Sequence, residues 1–186
     1  IWRGRLQEHI GTFQVELIHS RSAIIMSDRL ALTGLGIVTA MLLAFLPDRE
    51  ANIPLFKATE QLLDLLEHPE VWPNAYLRWE VGLLDNLGFG LELSACAVTG
   101  QTHDLAFISP KTGRAVSRDG AGKWANQLLP LIPVMLGKDT KHCSDTLRAL
   151  EVTGYFFQNH ACRGLGLKKI PSARSMFLDT LKKLYY

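Results

Sequence analysis

Cys96 lies where the first cysteine of a zinc knuckle would be expected, just after the glycine-rich turn "LGFG". Structural zinc needs four donors that converge tetrahedrally, usually supplied as two close pairs. Thr99 occupies the partner position of Cys96, and residues 112–120, the place for a second knuckle, contain neither cysteine nor histidine. His103 is the only other donor nearby in the sequence. We therefore expect no zinc site, and Cys96 should be a small buried side chain.

Other motifs for nucleotide binding or catalysis are incomplete or absent in this sequence. A phosphate-binding loop near Lys123 would have Ser117 in place of its first glycine and Trp124 in place of the magnesium-binding Ser or Thr. The stretch "GFGLEL" carries Leu93 at the third glycine position of a dinucleotide fingerprint. No G-x-S-x-G or H-E-x-x-H motif is present. Scattered acidic residues and histidines could still assemble acid–base catalysis, but nothing in the sequence favours an enzyme.

Charge is distributed unevenly along the 186 residues, although the net charge is only +2. Residues 1–110 carry 7 Lys/Arg against 13 Asp/Glu, a net charge of −6, whereas residues 111–186 carry 13 against 5, a net charge of +8. Such asymmetry indicates a surface for a polyanion, the alternative being a solvated basic surface without a partner. Three cysteines at wide spacings argue against a secreted disulfide framework and for a reducing cytosol.

Helical spacing of apolar residues dominates from about residue 27 onward. The spacing predicts helices over 27–46, 54–67 and 74–87, another that begins near Ser144 and ends at Gly164, and a last one that opens at Ser172. The uncharged run Leu30 to Leu46 reaches the lower length limit of a membrane span. Its two glycines, two threonines and sharp polar ends favour a central buried helix instead.

Two β-rich segments complete the predicted α+β, mainly α, architecture. Residues 1–26 alternate in the way of strands buried on one face, with Phe13, Val15 and Leu17 inward, and read as the last strands of a small β-domain whose beginning is missing. Residues 27–186 form the predicted helical domain. It contains a turn-rich insert at about 90–122, in which "LAFIS" and "RAVS" predict a hairpin.

Three stretches of this sequence resemble the RecO family of bacterial recombination mediators, of an α-proteobacterial type. They are "LRWEVGLLDNLGFGLELSACAVTG", "FISPKTGRAVSRDGAG" and "LRALEVTGYFFQNHACRGLGLKKIPSARSMF". The resemblance implies that residues 1–26 are the end of an N-terminal OB-fold barrel. It also implies that the insert corresponds to a zinc-finger-like element. Many relatives carry four zinc ligands there, whereas this chain retains Cys96 alone and is expected to need no cofactor.

The resemblance further implies a function without catalysis. Such a protein binds single- and double-stranded DNA and anneals complementary strands in DNA repair and recombination. With RecR it loads RecA onto DNA coated by single-strand DNA-binding protein. It would be a cytoplasmic, nucleoid-associated protein without membrane contact. The alternative from another class is a helical adaptor whose basic surface docks an acidic protein and does not anneal DNA.

Basic residues are the expected site residues, since they can neutralise phosphates without reading bases. The predicted DNA contacts are Arg3 and Arg5 on the N-terminal strand, Arg114, Arg118 and Lys123 in the insert, and Arg163, Lys168, Lys169 and Arg174 near the C-terminus. Arg78 stands apart on an otherwise apolar helix. The resemblance implies that Arg78 receives the acidic, aromatic-ended tail of single-strand DNA-binding protein, the alternative being an ion pair with Glu80, Asp85 or another acidic residue.

Overall fold

Helices make up most of the protein, as the sequence predicts. The computed structural model describes residues 2–4, 11–17, 20–21, 25–26, 28–138 and 143–185. Its main helices are α1 (Arg29–Phe45), α2 (Ile53–Asp64), α3 (Trp72–Asn86), α4 (Cys143–Phe156) and α5 (Ser172–Tyr185). Its strands are β1 (Trp2–Arg3), β2 (Thr12–Phe13), β3 (Leu105–Ile108), β4 (Ala115–Ser117) and β5 (Leu129–Pro130). The mainly helical α+β class is therefore confirmed.

The uncharged run in the first helical segment forms α1, which packs its apolar side against α5. Asp28 caps the start of α1, because its side chain accepts a hydrogen bond of 3.0 Å from the Ala31 amide. Ile37, Met41 and Phe45 are buried along the helix. Within the described ranges, no helix combines the length and the apolar character that crossing a bilayer requires.

Helix α3 begins two residues earlier than predicted. Pro73 lies in its first turn, where the missing N–H of proline is not needed. Asn74, in the same turn, accepts a hydrogen bond from the Thr146 hydroxyl of α4. The predicted end of the helix is confirmed: Gly88 has a φ of +81°, the left-handed conformation that glycine adopts most readily.

Helix α3 lies at the centre of the core. Tyr76, Leu77 and Leu83 are all fully buried. The Tyr76 ring stacks on Trp72 at a centroid distance of 5.3 Å and meets the edge of Phe177 from α5 at 5.1 Å. Aromatic side chains of this size bury large apolar areas, so α3 and α5 share the main core.

A buried ion pair joins the same helices. Arg174 of α5 donates two hydrogen bonds to the Glu80 carboxylate of α3, from Nε at 2.8 Å and from Nη2 at 2.9 Å. Tyr76 and Thr153 donate their hydroxyl protons to the same carboxylate, which is fully buried. Every oxygen of Glu80 is therefore satisfied, and α3, α4 and α5 are held in one register.

The predicted burial of the N-terminal strand face is wrong. β1 and β2 pair antiparallel over two residues each, with Arg3 opposite Thr12. Phe13, Val15 and Leu17 are 71%, 78% and 82% exposed, because no described element covers them. Alternation alone predicts which residues share a face, but burial requires a second layer. The assignment of residues 1–26 to an OB-fold, and the division of the chain at residue 26, stay predictions.

The predicted hairpin in the insert is confirmed. Strands β3 and β4 pair antiparallel, with Ile108 opposite Ala115, and β5 adds to the other edge of β3. A helical turn, Arg118–Ala121, and a 3₁₀ segment, Gly122–Gln127, connect β4 to β5. The insert thus extends to residue 130 rather than 122, and we use the word for residues 90–130.

Candidate functional site

Cys96 lies at the centre of the small core of the insert. Its side chain is only 2% exposed and packs with Val116 and Ala121. The sulfur accepts hydrogen bonds from the amides of Val98 and Thr99, both at 3.4 Å, and from the Ser117 amide at 3.2 Å. The Ser117 hydroxyl donates a fourth at 3.3 Å. Burial raises the pKa of the thiol, but hydrogen bonds from Ser117 and Thr99 outweigh it and lower the pKa to about 6.

The donors around Cys96 do not fit structural zinc. Thr99 and Ser117 place their hydroxyl oxygens 3.5 Å apart beside the sulfur. One thiol and two hydroxyl groups differ from the Cys and His sets that hold zinc tetrahedrally. No cluster of three or more His, Cys, Asp or Glu side chains suited to a metal ion occurs in the part of the chain that the structure describes. Hydrogen bonds to the Cys96 sulfur connect residues 96–99 to Ser117.

Three predicted basic residues of the insert are exposed, and two of them have acidic neighbours. Arg118 Nε lies 3.3 Å from the Asp104 carboxylate. Arg114 faces Glu92, whose pKa lies below its usual value because Ser94 hydrogen-bonds to the carboxylate and Arg114 adds a favourable charge. Lys123 has no carboxylate within 4.0 Å among the described residues. Its ammonium group lies over the Trp124 ring instead.

A second basic group follows α4. The helix continues through a π-helical turn, Phe157–Ala161, and ends soon after it. Gln158 in this turn binds the following segment, accepting a hydrogen bond from the Ile170 amide at 3.3 Å. Three basic side chains after the π-helical turn are exposed: Arg163, Lys168 and Lys169. None of them pairs with a carboxylate of the described residues. Their charges are therefore available to an anionic partner.

One contact joins the β3–β4 hairpin of the insert to the turn that precedes the second basic group. His160 Nε2 lies 2.8 Å from the carbonyl oxygen of Pro110, at the tip of the β3–β4 hairpin. Because a carbonyl oxygen only accepts, Nε2 carries the proton of this hydrogen bond. The Phe89 ring packs against Gly164 on the same side. The hairpin tip, with exposed Lys111 next to Pro110, thus sits against the turn that precedes Arg163.

A separate groove of about 780 Å³ runs between α2 and α3. Apolar side chains form much of its lining, among them Leu55, Val71 and Trp79. Arg78 also lines the groove and is exposed. The alternative in which Arg78 pairs with Glu80 is excluded, because Glu80 is buried against Arg174. No carboxylate in the described ranges lies within 4.0 Å of the Arg78 guanidinium.

The profile of one protein family, described as "Recombination protein O C terminal", matches residues 26–169. That match covers most of the chain. The chain belongs to the RecO family. Similar proteins named "DNA repair protein RecO" come from Roseobacter denitrificans, at 53% identity, and from a Ruegeria strain, at 50%. Both alignments span 182 residues, which are 98% of this chain and 76% of each relative.

A third RecO relative, from a Jannaschia strain, is 50% identical over 98% of this chain and 74% of its own length. No solved structure matches the chain significantly. The resemblance found in "LGFG", "CAVTG" and "KKIPSAR" is thus confirmed as family membership. The residue assignments within this RecO-family chain rest on geometry alone.

Arg174 must be removed from the predicted DNA contacts. The side chain is 6% exposed, and its guanidinium is occupied by Glu80, by the Leu150 carbonyl and by the Thr153 hydroxyl. A phosphate could reach it only if the ion pair separated and α5 moved away. The motif "KKIPSAR" places one arginine inside the core and two lysines outside, although all three look alike in the sequence.

At the N-terminus, Arg3 is exposed on β1, and Arg5 lies outside the described residues. The predicted contacts with described, exposed side chains are Arg3, Arg114, Arg118, Lys123, Arg163, Lys168 and Lys169. Sequence reasoning missed Lys111, although its position in the "SPKTG" turn predicts exposure. It also missed Trp124, whose sequence neighbours do not reveal that the ring is exposed.

Proposed function

We propose that this RecO-family protein acts in DNA repair as a recombination mediator that binds single- and double-stranded DNA without sequence preference. The observation that carries the proposal is the docking of the insert on the π-helical turn, which gathers Lys111, Arg163 and the segment with Lys168 and Lys169 on connected elements. Unpaired lysine and arginine side chains release counterions when they neutralise phosphates, which drives binding to any sequence.

The proposed activity is strand annealing together with protein partners. Bound to two complementary strands, a basic surface reduces their mutual repulsion and so speeds pairing. RecR and single-strand DNA-binding protein are the proposed partners, and loading of RecA is the proposed outcome. The names of the relatives, "DNA repair protein RecO", support this reading. We propose a cytoplasmic, nucleoid-associated role without catalysis.

The test measures binding of labelled single strands and duplexes by anisotropy from about 50 to 200 mM salt. We expect log K to fall linearly with log salt, with a slope of about −0.7 for each phosphate neutralised on single strands. Annealing of two complementary oligonucleotides should be faster with the protein than without it. An affinity that does not depend on salt concentration, or annealing no faster than without the protein, would favour the alternative of a protein-docking adaptor. Nuclease and nucleotide-hydrolysis assays on the same samples test the enzyme alternative.

We further propose that the groove between α2 and α3 receives the acidic, aromatic-ended tail of single-strand DNA-binding protein. A carboxylate can bind the free guanidinium of Arg78 while an aromatic ring enters the apolar part of the groove. The acidic side chains Glu70 and Asp85 also line the groove, so the position of Arg78 selects where a carboxylate can bind.

The test is the affinity of a tail peptide for Arg78→Ala and for Lys57→Ala. Lys57 is an exposed cation of α2 that does not line the groove, so it controls for the loss of one charge. We expect Arg78→Ala to abolish binding with an unchanged circular dichroism spectrum, and Lys57→Ala to bind as the unaltered protein does. Normal peptide binding by Arg78→Ala would eliminate the proposed tail site.

A further inference from the structure

Trp124 is an exposed aromatic residue in a chain that buries other tryptophans well. The side chain is 55% exposed, whereas Trp72 and Trp79 are 1% and 5% exposed. Tryptophan is enriched in binding sites, because its ring supplies a large contact area for a ligand. The ring lies in the insert, on the 3₁₀ segment Gly122–Gln127.

The backbone that carries Trp124 is held firmly on both sides. Ala121, just before the segment, is 1% exposed and packs in the small core of the insert with Cys96. Ala125 and Leu128, just after the ring, pack against the same core. Trp124 is therefore presented outward from a packed support, and little conformational entropy is lost when a ligand stacks on it.

Cationic groups lie beside the ring. The Lys123 ammonium is 5.4 Å from the ring centroid, within the range of a cation–π interaction. Arg118 begins the helical turn that leads into the segment, although its guanidinium pairs with Asp104, and Asp119 is also exposed there. An exposed aromatic ring with an unpaired lysine next to it suits a ligand that combines flat rings with phosphates.

We propose that Trp124 stacks on a base of single-stranded DNA while Lys123 neutralises an adjacent phosphate. This inference rests on the proposed DNA binding and names a residue that would distinguish one DNA form from the other. In a single strand the faces of the bases are accessible, whereas in a duplex each base is covered by its neighbours. A stacking tryptophan therefore adds affinity for single strands alone, beyond the charge contribution common to both forms.

The experiment compares three variants with the unaltered protein. Trp124→Leu keeps an apolar side chain but removes the aromatic face, Trp124→Phe keeps a smaller face, and Val98→Ala trims another exposed apolar residue of the insert. We expect Trp124→Leu to lose roughly 5-fold to 150-fold in single-strand affinity, the usual value of one stacked base. Trp124→Phe should retain most of the affinity, Val98→Ala all of it, and duplex affinity should not change in any variant.

Fluorescence supplies a second readout. The chain has four tryptophans, and an oligothymidine should quench part of the emission of the unaltered protein but not that of Trp124→Phe. Unchanged single-strand affinity in Trp124→Leu, or an equal loss for duplex, would overturn the stacking role. A loss confined to the binding of RecR would assign the ring to a protein contact instead. If the unaltered protein binds no DNA at all, the proposed function and this inference are both wrong. If it binds DNA but Trp124→Leu has the same single-strand affinity as Val98→Ala, this inference alone is wrong.

Discussion

At the scale of single residues, the Glu80–Arg174 pair shows how the environment decides the role of a charge. Burial lowers the pKa of Arg174, but the charge and hydrogen bonds of Glu80 outweigh it and raise the pKa above its usual value. Arg174 therefore stays charged, as arginine does in proteins generally. Each partner satisfies the other, so removal of one leaves an uncompensated buried charge.

We expect Arg174→Met to lower the free energy of unfolding by about 3–5 kcal/mol, measured by urea denaturation. Arg78→Ala removes an exposed arginine from α3 and should change the same quantity by less than about 0.5 kcal/mol. The double variant Glu80→Leu/Arg174→Met should recover part of the loss, because no unpaired charge remains although the Tyr76 hydroxyl loses its acceptor. A single variant within about 1 kcal/mol of the unaltered protein would show that the pair does not hold the helices together.

The Cys96 sulfur predicts a pH dependence of stability. The pKa of the thiol is about 6 in the folded protein, below the value of about 8.5 expected when the chain is unfolded. The unfolded state thus binds more protons between these values, and the free energy of unfolding rises with pH across that window. The contribution is complete above the unfolded pKa and is lost as the pH falls through about 6.

Urea denaturation of the unaltered protein and of Cys96→Ser at several values from about pH 6 to pH 9 measures this contribution. The serine hydroxyl does not ionise in that range, so we expect the two stability curves to diverge as the pH rises. Difference absorbance near 240 nm should show a thiolate that forms at about pH 6 in the unaltered protein only. Parallel stability curves would contradict the depressed pKa.

At the scale of elements, close contact between α4 and α5 depends on a glycine. A Cβ atom built on Gly154 of α4 would lie 2.6 Å from an Arg174 guanidinium nitrogen. No real Cβ atom tolerates that distance, so the helices could approach only if the ion pair shifted. Gly154 therefore lets a bulky guanidinium lie flat against the backbone of the neighbouring helix.

Gly154→Ala should destabilise the protein by about 1–3 kcal/mol, although alanine is the better helix former. Gly36→Ala in α1 is the matched control, since no atom lies within 4 Å of its added methyl group. The free energy of unfolding of that control should rise by roughly 0.5–1 kcal/mol, the usual advantage of alanine over glycine in a helix. Thermal or urea denaturation measures both variants. Equal stabilisation by the two substitutions would show that α4 and α5 have room for the methyl group.

At the scale of the whole molecule, the positive charge of residues 111–186 is only partly available to a polyanion. The structure withdraws Arg174 into the core and pairs Arg118 with Asp104. Lys168 and Lys169 remain exposed and have no carboxylate partner among the described residues. The predicted electrostatic surface is therefore smaller than the formal charge suggests, and Lys111, Lys123 and Arg163 join these lysines among its exposed cations.

In the double variant Lys168→Ala/Lys169→Ala, the slope of log K against log salt for single-strand binding should become less negative by about 1.4. This is the change expected when two phosphates are no longer neutralised. Arg49→Ala/Lys57→Ala removes two exposed charges from the acidic first part of the chain and should leave the slope unchanged. Anisotropy titrations at several salt concentrations measure both. Equal slopes for the two double variants would mean that DNA binds elsewhere on the protein.

The sequence by itself determined the positions of the helices, the hairpin of the insert and the family. These properties depend on local spacing of apolar residues, on proline and glycine at element ends, and on motifs such as "LGFG" that can be read directly. Local sequence also showed that Cys96 has no cysteine at the partner position of a zinc knuckle, because Thr99 stands there.

Only the tertiary structure decided which side chains are available. Arg174 and Glu80 are 94 positions apart in sequence, and nothing near either residue predicts that they meet. Likewise, Phe13 is exposed where alternation predicts burial, and Trp124 is exposed while Trp72 and Trp79 are buried. Burial depends on which distant elements pack over a residue, and that information is not contained in the residues beside it.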